Sequence, residues 1–177
     1  MNHGSLPLLS HPPVAPVADV DRVHGAIDAA AAVIAARHGD RLACRRGCSG
    51  CCVDDLTVFE VEARAIAHHH PEVLVQAPHA VGGCAFLDAE GACRIYNTRP
   101  YVCRTQGLPL RWLEDDGSEL RDVCPLNLVD EAIEQLPADA CWPIGPVEAR
   151  LAALQASALP DGERRRVALR ALFVPPV

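Results

Sequence analysis

The sequence predicts a small α+β domain, mostly helical, with one or two β-hairpins folded around a cysteine-ligated metal site. Three observations support this prediction. Apolar residues recur at helical spacing near both ends of the chain, turn residues in the middle separate short strand-like segments, and nine cysteines are spread over 177 residues. A chain of this length supports one domain. We therefore expect a single fold in which metal ligation supplements a core of small side chains.

The N-terminal segment differs in composition from the rest of the chain. It contains four prolines and no arginine or lysine, so residues 1–18 are predicted to be a disordered, proline-rich segment without a secretory signal. Residues 19–177 are predicted to form a cysteine-cluster metal-binding domain with C-terminal helices. The longest apolar run, Ala29–Ala36, is too short to cross a bilayer. We therefore expect a cytoplasmic protein with no membrane partner.

Two helices are predicted before Pro71. Asp19 is the expected N-cap of the first, which should end at Gly39. Thr57 and Glu60 match a capping box that opens the second, which should end at the His68–His70 run. Histidines at a helix end stabilise its last carbonyls, so we do not expect these to be metal ligands. The predicted apolar face of the first helix consists of Val20, Val23, Ile27, Ala31 and Ile34.

A first hairpin is predicted around the turn Asp88–Gly91. Pairing of Leu87 with Ala92 across this turn would place Cys84 and Cys93 on one face as diagonal neighbours. Diagonal neighbours lie roughly 7–8 Å apart, a separation that two ligands of one metal centre can bridge. The hairpin therefore suits a metal site.

Five further elements are predicted toward the C-terminus. Thr98–Pro100 should open a short helix that carries Cys103 and ends near Gly107. A second hairpin is expected around Glu114–Ser118, leading to Cys124. The helices predicted in the last third of the chain are Leu128–Leu136, Val147–Leu159 and Glu163–Phe173, the last with a solvated basic face of Arg164, Arg165, Arg166 and Arg170.

Charge and composition exclude several classes of function. The net charge of −7 argues against nucleic acid as a partner, because phosphate binding needs clustered cations. All sixteen cationic residues are arginine, which excludes a Schiff-base lysine and a phosphate-loop lysine. Neither a G-x-G-x-x-G loop nor a recognisable Ser–His–Asp set is present.

The cysteine pattern is the strongest chemical feature of the chain. Thiolates placed this densely repel one another unless a cation lies among them, and zinc, iron or an iron–sulfur cluster supplies that cation. A disulfide framework fits less well, because the number is odd and an adjacent cysteine pair would form a strained ring. Four cysteines, Cys44, Cys48, Cys51 and Cys52, fall within nine residues, and Cys84, Cys93, Cys103, Cys124 and Cys141 follow.

Three stretches together resemble a known family. They are C-x3-C-x2-C-C from Cys44, the run Cys84-Ala-Phe-Leu-Asp-x3-Ala-Cys93-Arg-Ile-Tyr, and Arg99-Pro100-x2-Cys103-Arg104. Over Leu42–Cys124 this pattern resembles the YkgJ-type cysteine-cluster family, a zinc- or iron-chelating domain. The related flagellin lysine N-methylases share the cysteine cluster, and this resemblance implies an iron–sulfur centre.

The resemblance implies eight metal ligands: Cys44, Cys48, Cys51, Cys52, Cys84, Cys93, Cys103 and Cys124. Eight exceed the four ligands of one zinc ion or one [4Fe–4S] cluster. Either two centres form, or four cysteines ligate and the others support them. Cys141 has no place in the motif and is predicted to be an ordinary buried thiol. Arg99 and Arg104 are predicted to help hold the cofactor by compensating thiolate charge and donating N–H···S hydrogen bonds.

Three classes of function stay open. The first is a zinc- or iron-binding protein, with an iron–sulfur cluster as one form, that acts as a chelator, electron carrier or accessory factor. The second is a cluster-dependent enzyme, such as a protein-modifying relative of the methylases. The third is a structural zinc module that binds a protein partner. A metal ion is the partner common to all three.

Overall fold

The computed structural model describes residues 14–45, 47–129, 131–159 and 165–173, and it confirms the α+β class. The helices are α1 (Val14–His38), α2 (Glu60–His69), α3 (Pro71–Leu74), α4 (Tyr101–Thr105) and α5 (Pro146–Ala158). The strands are β1 (Thr57–Phe59), β2 (Leu110–Leu113), β3 (Glu119–Asp122), β4 (Trp142–Pro143) and β5 (Arg166–Ala168). Short 3₁₀ turns occupy Gly39–Arg41, Tyr96–Thr98, Ile133–Gln135, Ala138–Ala140 and Leu169–Leu172.

The strands form two small sheets. β1 pairs antiparallel with β5, with Thr57 opposite Ala168. β2 lies between β3 and β4, antiparallel to the first and parallel to the second. The hairpin of β2 and β3 turns at residues 114–118, which confirms the second predicted hairpin.

Helix α1 buries the predicted apolar face, on which Val20, Val23 and Ile27 are at most 4% exposed. It begins at Val14 and not at Asp19, so the predicted N-cap is wrong and residues 14–18 are helical. Pro16 lies in the first turn, where the amide it lacks would have no partner within the helix. Residues 1–13 of the predicted disordered segment lie outside the described residues.

Helix α2 lies between two hydrophobic clusters. Val61 and Ala65 pack with α1 and α5 in the first cluster. Ala63 and Ile66 belong to the second cluster, where Phe86 is fully buried. Burying an aromatic or branched aliphatic side chain contributes roughly 1.5–3 kcal/mol. The second cluster reaches the cysteines, because Cys84 is one of its buried members.

A buried polar contact fixes α4 against the first two helices. The Glu62 carboxylate of α2 accepts a hydrogen bond of 2.7 Å from the backbone amide of Tyr101. The same Oε1 lies 2.9 Å from Nε2 of His24 on α1. Three elements therefore meet at one carboxylate, and this junction sets the position of Cys103, two residues along α4.

Two local predictions are wrong for one reason, which is pairing between distant segments. Thr57 does not cap α2 but starts β1, and α2 has Phe59 at its N-cap without a side-chain hydrogen bond. The predicted helix Glu163–Phe173 is instead β5 followed by a 3₁₀ turn, because β1 needs a partner strand. Residues 160–164, including Arg164, lie outside the described part of the chain.

The predicted helix Leu128–Leu136 is also wrong. The chain there forms a 3₁₀ turn at Ile133–Gln135, and Leu128 adopts a left-handed backbone (φ 50°). The Leu128 amide donates to the Arg41 carbonyl at 2.9 Å, which ties this segment to the end of α1. The prediction of Val147–Leu159 is correct to within one residue at each end. Among the described residues, no helix is long and apolar enough to cross a membrane.

Candidate metal centre

The cysteine loop follows α1 directly and consists of two tight turns. The amide of Cys48 donates to the Arg45 carbonyl, and the amide of Cys52 donates to the Ser49 carbonyl, both at 2.9 Å. Gly47 has a φ of 88°, which residues with a Cβ rarely adopt. These turns bring the loop cysteines to the same side of the molecule as Cys84.

Seven of the eight motif cysteines line one cavity of about 650 Å³. They are Cys44, Cys48, Cys51, Cys52, Cys84, Cys93 and Cys103. All nine cysteines of the chain are free thiols, so the disulfide alternative finds no support. Three separate stretches of sequence therefore deliver sulfur to one space.

The first hairpin is reduced to one isolated bridge, and its register differs from the prediction. Leu87 pairs with Cys93 and not with Ala92. The Asp88 carboxylate accepts a 2.7 Å hydrogen bond from the Ala92 amide, which closes the turn. Cys84 and Cys93 nevertheless both face the cavity, so the expected proximity of these two residues survives the shift in register.

The thiol of Cys51 lies near those of Cys44, Cys48 and Cys124. Burial raises the pKa of Cys51, and the nearby thiols of Cys44, Cys48 and Cys124 raise it further. Cys124 does not line the cavity, but the segment after it contacts the cysteine loop through Asn127. The Asn127 side-chain amide donates to Sγ of Cys44 at 3.3 Å, and its backbone amide donates to the Cys124 carbonyl at 2.8 Å.

The thiol of Cys103 lies near those of Cys84, Cys93 and Cys52. Burial raises the pKa of Cys103 strongly, and the thiols of Cys84, Cys93 and Cys52 add to the rise. Burial and the adjacent Cys51 thiol raise the pKa of Cys52 to about 12. A backbone hydrogen bond joins two of these cysteines directly, because the Cys84 amide donates to the Cys52 carbonyl at 2.9 Å.

The donor set fits zinc or iron in its chemistry but is not closed around an ion. Raised pKa values show that ionising these clustered thiols is unfavourable until a cation neutralises them. Throughout the described residues, however, no three His, Cys, Asp or Glu side chains lie close enough together to hold one metal ion. Closing a four-coordinate centre from these positions therefore requires side-chain rotation or a small movement of the cysteine loop.

Arg99 lies beside the cysteines as predicted. Its guanidinium stacks on the ring of Tyr96, with 4.2 Å from Cζ to the centroid, and its Nε donates to the Cys103 carbonyl at 3.1 Å. The positive charge opposes the rise in pKa of Cys93 and Cys103. Its hydrogen bonds reach carbonyl oxygens and not sulfur, so N–H···S donation by Arg99 stays a prediction.

Arg104 lines the cavity but is oriented by other partners. Its guanidinium forms an ion pair with Asp28 of α1 and donates to the Asn97 carbonyl at 3.1 Å. Its Nε is buried and has no hydrogen-bond partner among the residues that the structure describes. An unsatisfied buried donor beside a sulfur-lined cavity suits an anionic metal centre.

Sequence reasoning missed two residues that position the site. Arg170 was expected on a solvated helix face, yet its guanidinium donates to Asp54 (2.6 Å) and to the carbonyls of His79 (2.7 Å) and Gly83 (2.9 Å). It therefore holds the loop that leads into Cys84. Asn127 was not singled out either. Its position three residues after Cys124, in a Cys-Pro-Leu-Asn turn, is the one sequence signal that pointed to it.

The residues expected to play no part in metal binding lie away from the cavity. His69 closes α2 with its Nε2 3.0 Å from Asp21 of α1, and His70 contacts Thr98. Cys141 is 1% exposed and packs beside β4, so it is a buried thiol as predicted.

A thiol-lined cavity flanked by arginines defines a cysteine-cluster domain. Residues 43–125 match the model of the CxxCxxCC family, described as a "putative zinc- or iron-chelating domain". Residues 43–125 are similar to this domain, and the predicted resemblance to a cysteine-cluster family is confirmed. The matched segment holds all eight motif cysteines and excludes Cys141, α1, α5 and Arg170. No curated protein and no solved structure matches the chain.

Proposed function

We propose that this protein binds zinc or iron through its eight motif cysteines and acts as a chelator, electron carrier or accessory factor. One observation carries the proposal: seven free thiols from separate stretches line a single cavity. Packing alone does not explain this arrangement, because Ala or Val would fill the same space without the cost of gathering ionisable groups. A cytoplasmic location, where thiols stay reduced, belongs to the proposal.

The donor set accommodates zinc and iron alike. Four thiolates bind one zinc ion tetrahedrally or anchor one [4Fe–4S] cluster. The flanking arginines would offset the negative charge that either group leaves on the site. An iron–sulfur cluster would supply electron transfer, whereas zinc would supply structural crosslinks.

The first experiment is anaerobic purification of the full chain followed by metal analysis and visible spectroscopy. We expect stoichiometric metal. Brown protein that absorbs in the visible range indicates iron–sulfur, and colourless protein with zinc indicates a zinc centre. A Cys141→Ala control should keep its full metal content. Protein that binds neither metal, even after reconstitution, would overturn the proposal.

The cavity favours an enzyme as the second candidate. Beyond the thiols it is lined by Tyr96, Asn97, Gln106 and Arg99, which offer polar contacts to a small ligand. An enzyme of this kind needs a metal with an open coordination position. Cobalt-substituted protein should then change its visible spectrum when cyanide is added, and an unchanged spectrum would exclude an open position. Binding of a protein partner by a structural zinc module stays a prediction.

A further inference from the structure

We infer that the eight motif cysteines form two separate four-cysteine centres. The outer centre consists of Cys44, Cys48, Cys51 and Cys124, and the inner centre consists of Cys52, Cys84, Cys93 and Cys103. The inference rests on the proposed function, because it divides among two metal sites the ligands that the function requires.

Hydrogen bonds connect the members of the outer centre. Asn127 bonds the Cys44 sulfur through its side chain and the Cys124 carbonyl through its backbone, so two cysteines 80 residues apart share one anchor. Cys48 and Cys51 belong to the same tight loop as Cys44. Gly107 packs closely against the Cys44 sulfur, because a Cβ at this position would collide with that sulfur.

The inner centre is built into the second hydrophobic cluster. Cys84 is buried within this cluster, and Cys52 and Cys93 pack against it. The Cys84 amide donates to the Cys52 carbonyl at 2.9 Å, and Cys93 faces Leu87 across the isolated bridge. Cys103 joins them from α4, and its main thiol neighbours are the other three members.

The adjacent pair Cys51–Cys52 divides the two centres. Side chains of consecutive residues diverge, so one small ion is poorly placed to accept both. Here Cys52 packs against the second cluster and its carbonyl accepts from the Cys84 amide, which assigns it to the inner centre and leaves Cys51 to the outer one. Because Cys51 and Cys52 are consecutive residues, the two centres lie side by side.

The charges around the centres differ. Four thiolates on one divalent ion leave a net charge of −2. Near the inner centre, the guanidinium groups of Arg94, Arg99 and Arg170 donate to the carbonyls of Ala85, Cys103 and Gly83, at or beside its cysteines. The outer centre has the Asn127 amide as a hydrogen-bond donor, and Cys44 is exposed. The inner centre is therefore the protected site and the outer centre the exchangeable one.

Zinc titration of the metal-stripped full chain tests the inference, with native mass spectrometry as the readout. We expect about two zinc ions per chain. The variants Cys48→Ser and Cys93→Ser should each retain one ion, and circular dichroism should show that both remain folded. Cys141→Ala should retain two ions.

Double variants test the membership of each centre. Cys48→Ser with Cys124→Ser removes two outer ligands and should still leave one ion. Cys48→Ser with Cys93→Ser removes one ligand from each centre and should leave none. Loss of all zinc in the first double variant, or one ion retained in the second, would overturn the partition. It would also be overturned if the wild type bound one ion, or if a folded single variant lost all its zinc. A wild type that binds no zinc and no iron would instead refute the proposed function.

Discussion

The side-chain amide of Asn127 donates hydrogen bonds to the sulfur of Cys44 at 3.3 Å and to the Gly107 carbonyl at 2.6 Å. Its carbonyl oxygen accepts from the Ala43 amide at 2.7 Å. One buried side chain thus joins the start of the cysteine loop, the end of α4 and the segment after Cys124. Asn127 is a positioning residue, because it holds a thiol whose partner would be the metal.

Replacing Asn127 should weaken zinc binding at the outer centre. Asn127→Ala leaves buried groups without partners, at a cost of about 1–3 kcal/mol for each, and should lower zinc affinity roughly 10–100-fold. Asn127→Asp keeps the acceptor for Ala43 but places a carboxylate beside the thiolates, so its affinity should fall at least as far. Competition with a chromogenic chelator measures the effect. Unchanged affinity in both variants would show that Asn127 serves folding alone.

Arg170 should matter for stability although it lies outside residues 43–125, the segment that matches the family model. Arg170→Ala removes its bonds to Asp54 and to three loop carbonyls. A single hydrogen bond to a charged group contributes about 1.5–3 kcal/mol, and bonds made by one side chain do not add in full. We expect a loss of roughly 2–4 kcal/mol in the free energy of unfolding, measured in urea. Arg150→Ala, on the exposed face of α5, is the matched control and should change it by less than about 0.5 kcal/mol. Equal effects of the two variants would contradict the role of Arg170.

Metal-stripped protein should lose stability at alkaline pH. In the folded chain the pKa of Cys52 is raised from 9.0 to about 12, and that of Cys103 is also raised. A raised pKa stabilises the fold fully below the unfolded value, and this contribution disappears as pH rises through the folded value. The free energy of unfolding should therefore fall between about pH 9 and pH 12. Unfolding in urea at several pH values measures the trend, and an increase over this range would contradict it.

A chelator should remove the two zinc ions in two phases. The outer centre includes the exposed Cys44, whereas the inner centre contains the buried Cys84. Attack by a chelator needs access to the metal and its ligands, so the outer ion should leave first. Zinc release to an excess of a colorimetric chelator follows both phases. Cys48→Ser should lack the fast phase, and a variant that instead lacked the slow phase would reverse the order.

Local patterns predicted part of this structure correctly. The apolar face of α1, the hairpin of β2 and β3, and helix α5 each depend on residues close together in the sequence. The cysteine spacing likewise indicated the metal-chelating class, because dense thiols need a cation whatever the fold. Such features are determined within a few residues, so side-chain periodicity and turn chemistry suffice to predict them.

Contacts between distant segments decided the rest. β1 exists because β5 pairs with it more than 100 residues later, and this pairing replaced a helix that the local pattern favoured. Arg170 and Asn127 act through bonds to loops far away in the chain. The grouping of the eight cysteines depends on which thiols the packing of α4, the second cluster and the cysteine loop brings together. Spacing along a chain gives the ligands, but distances in space assign them to a centre.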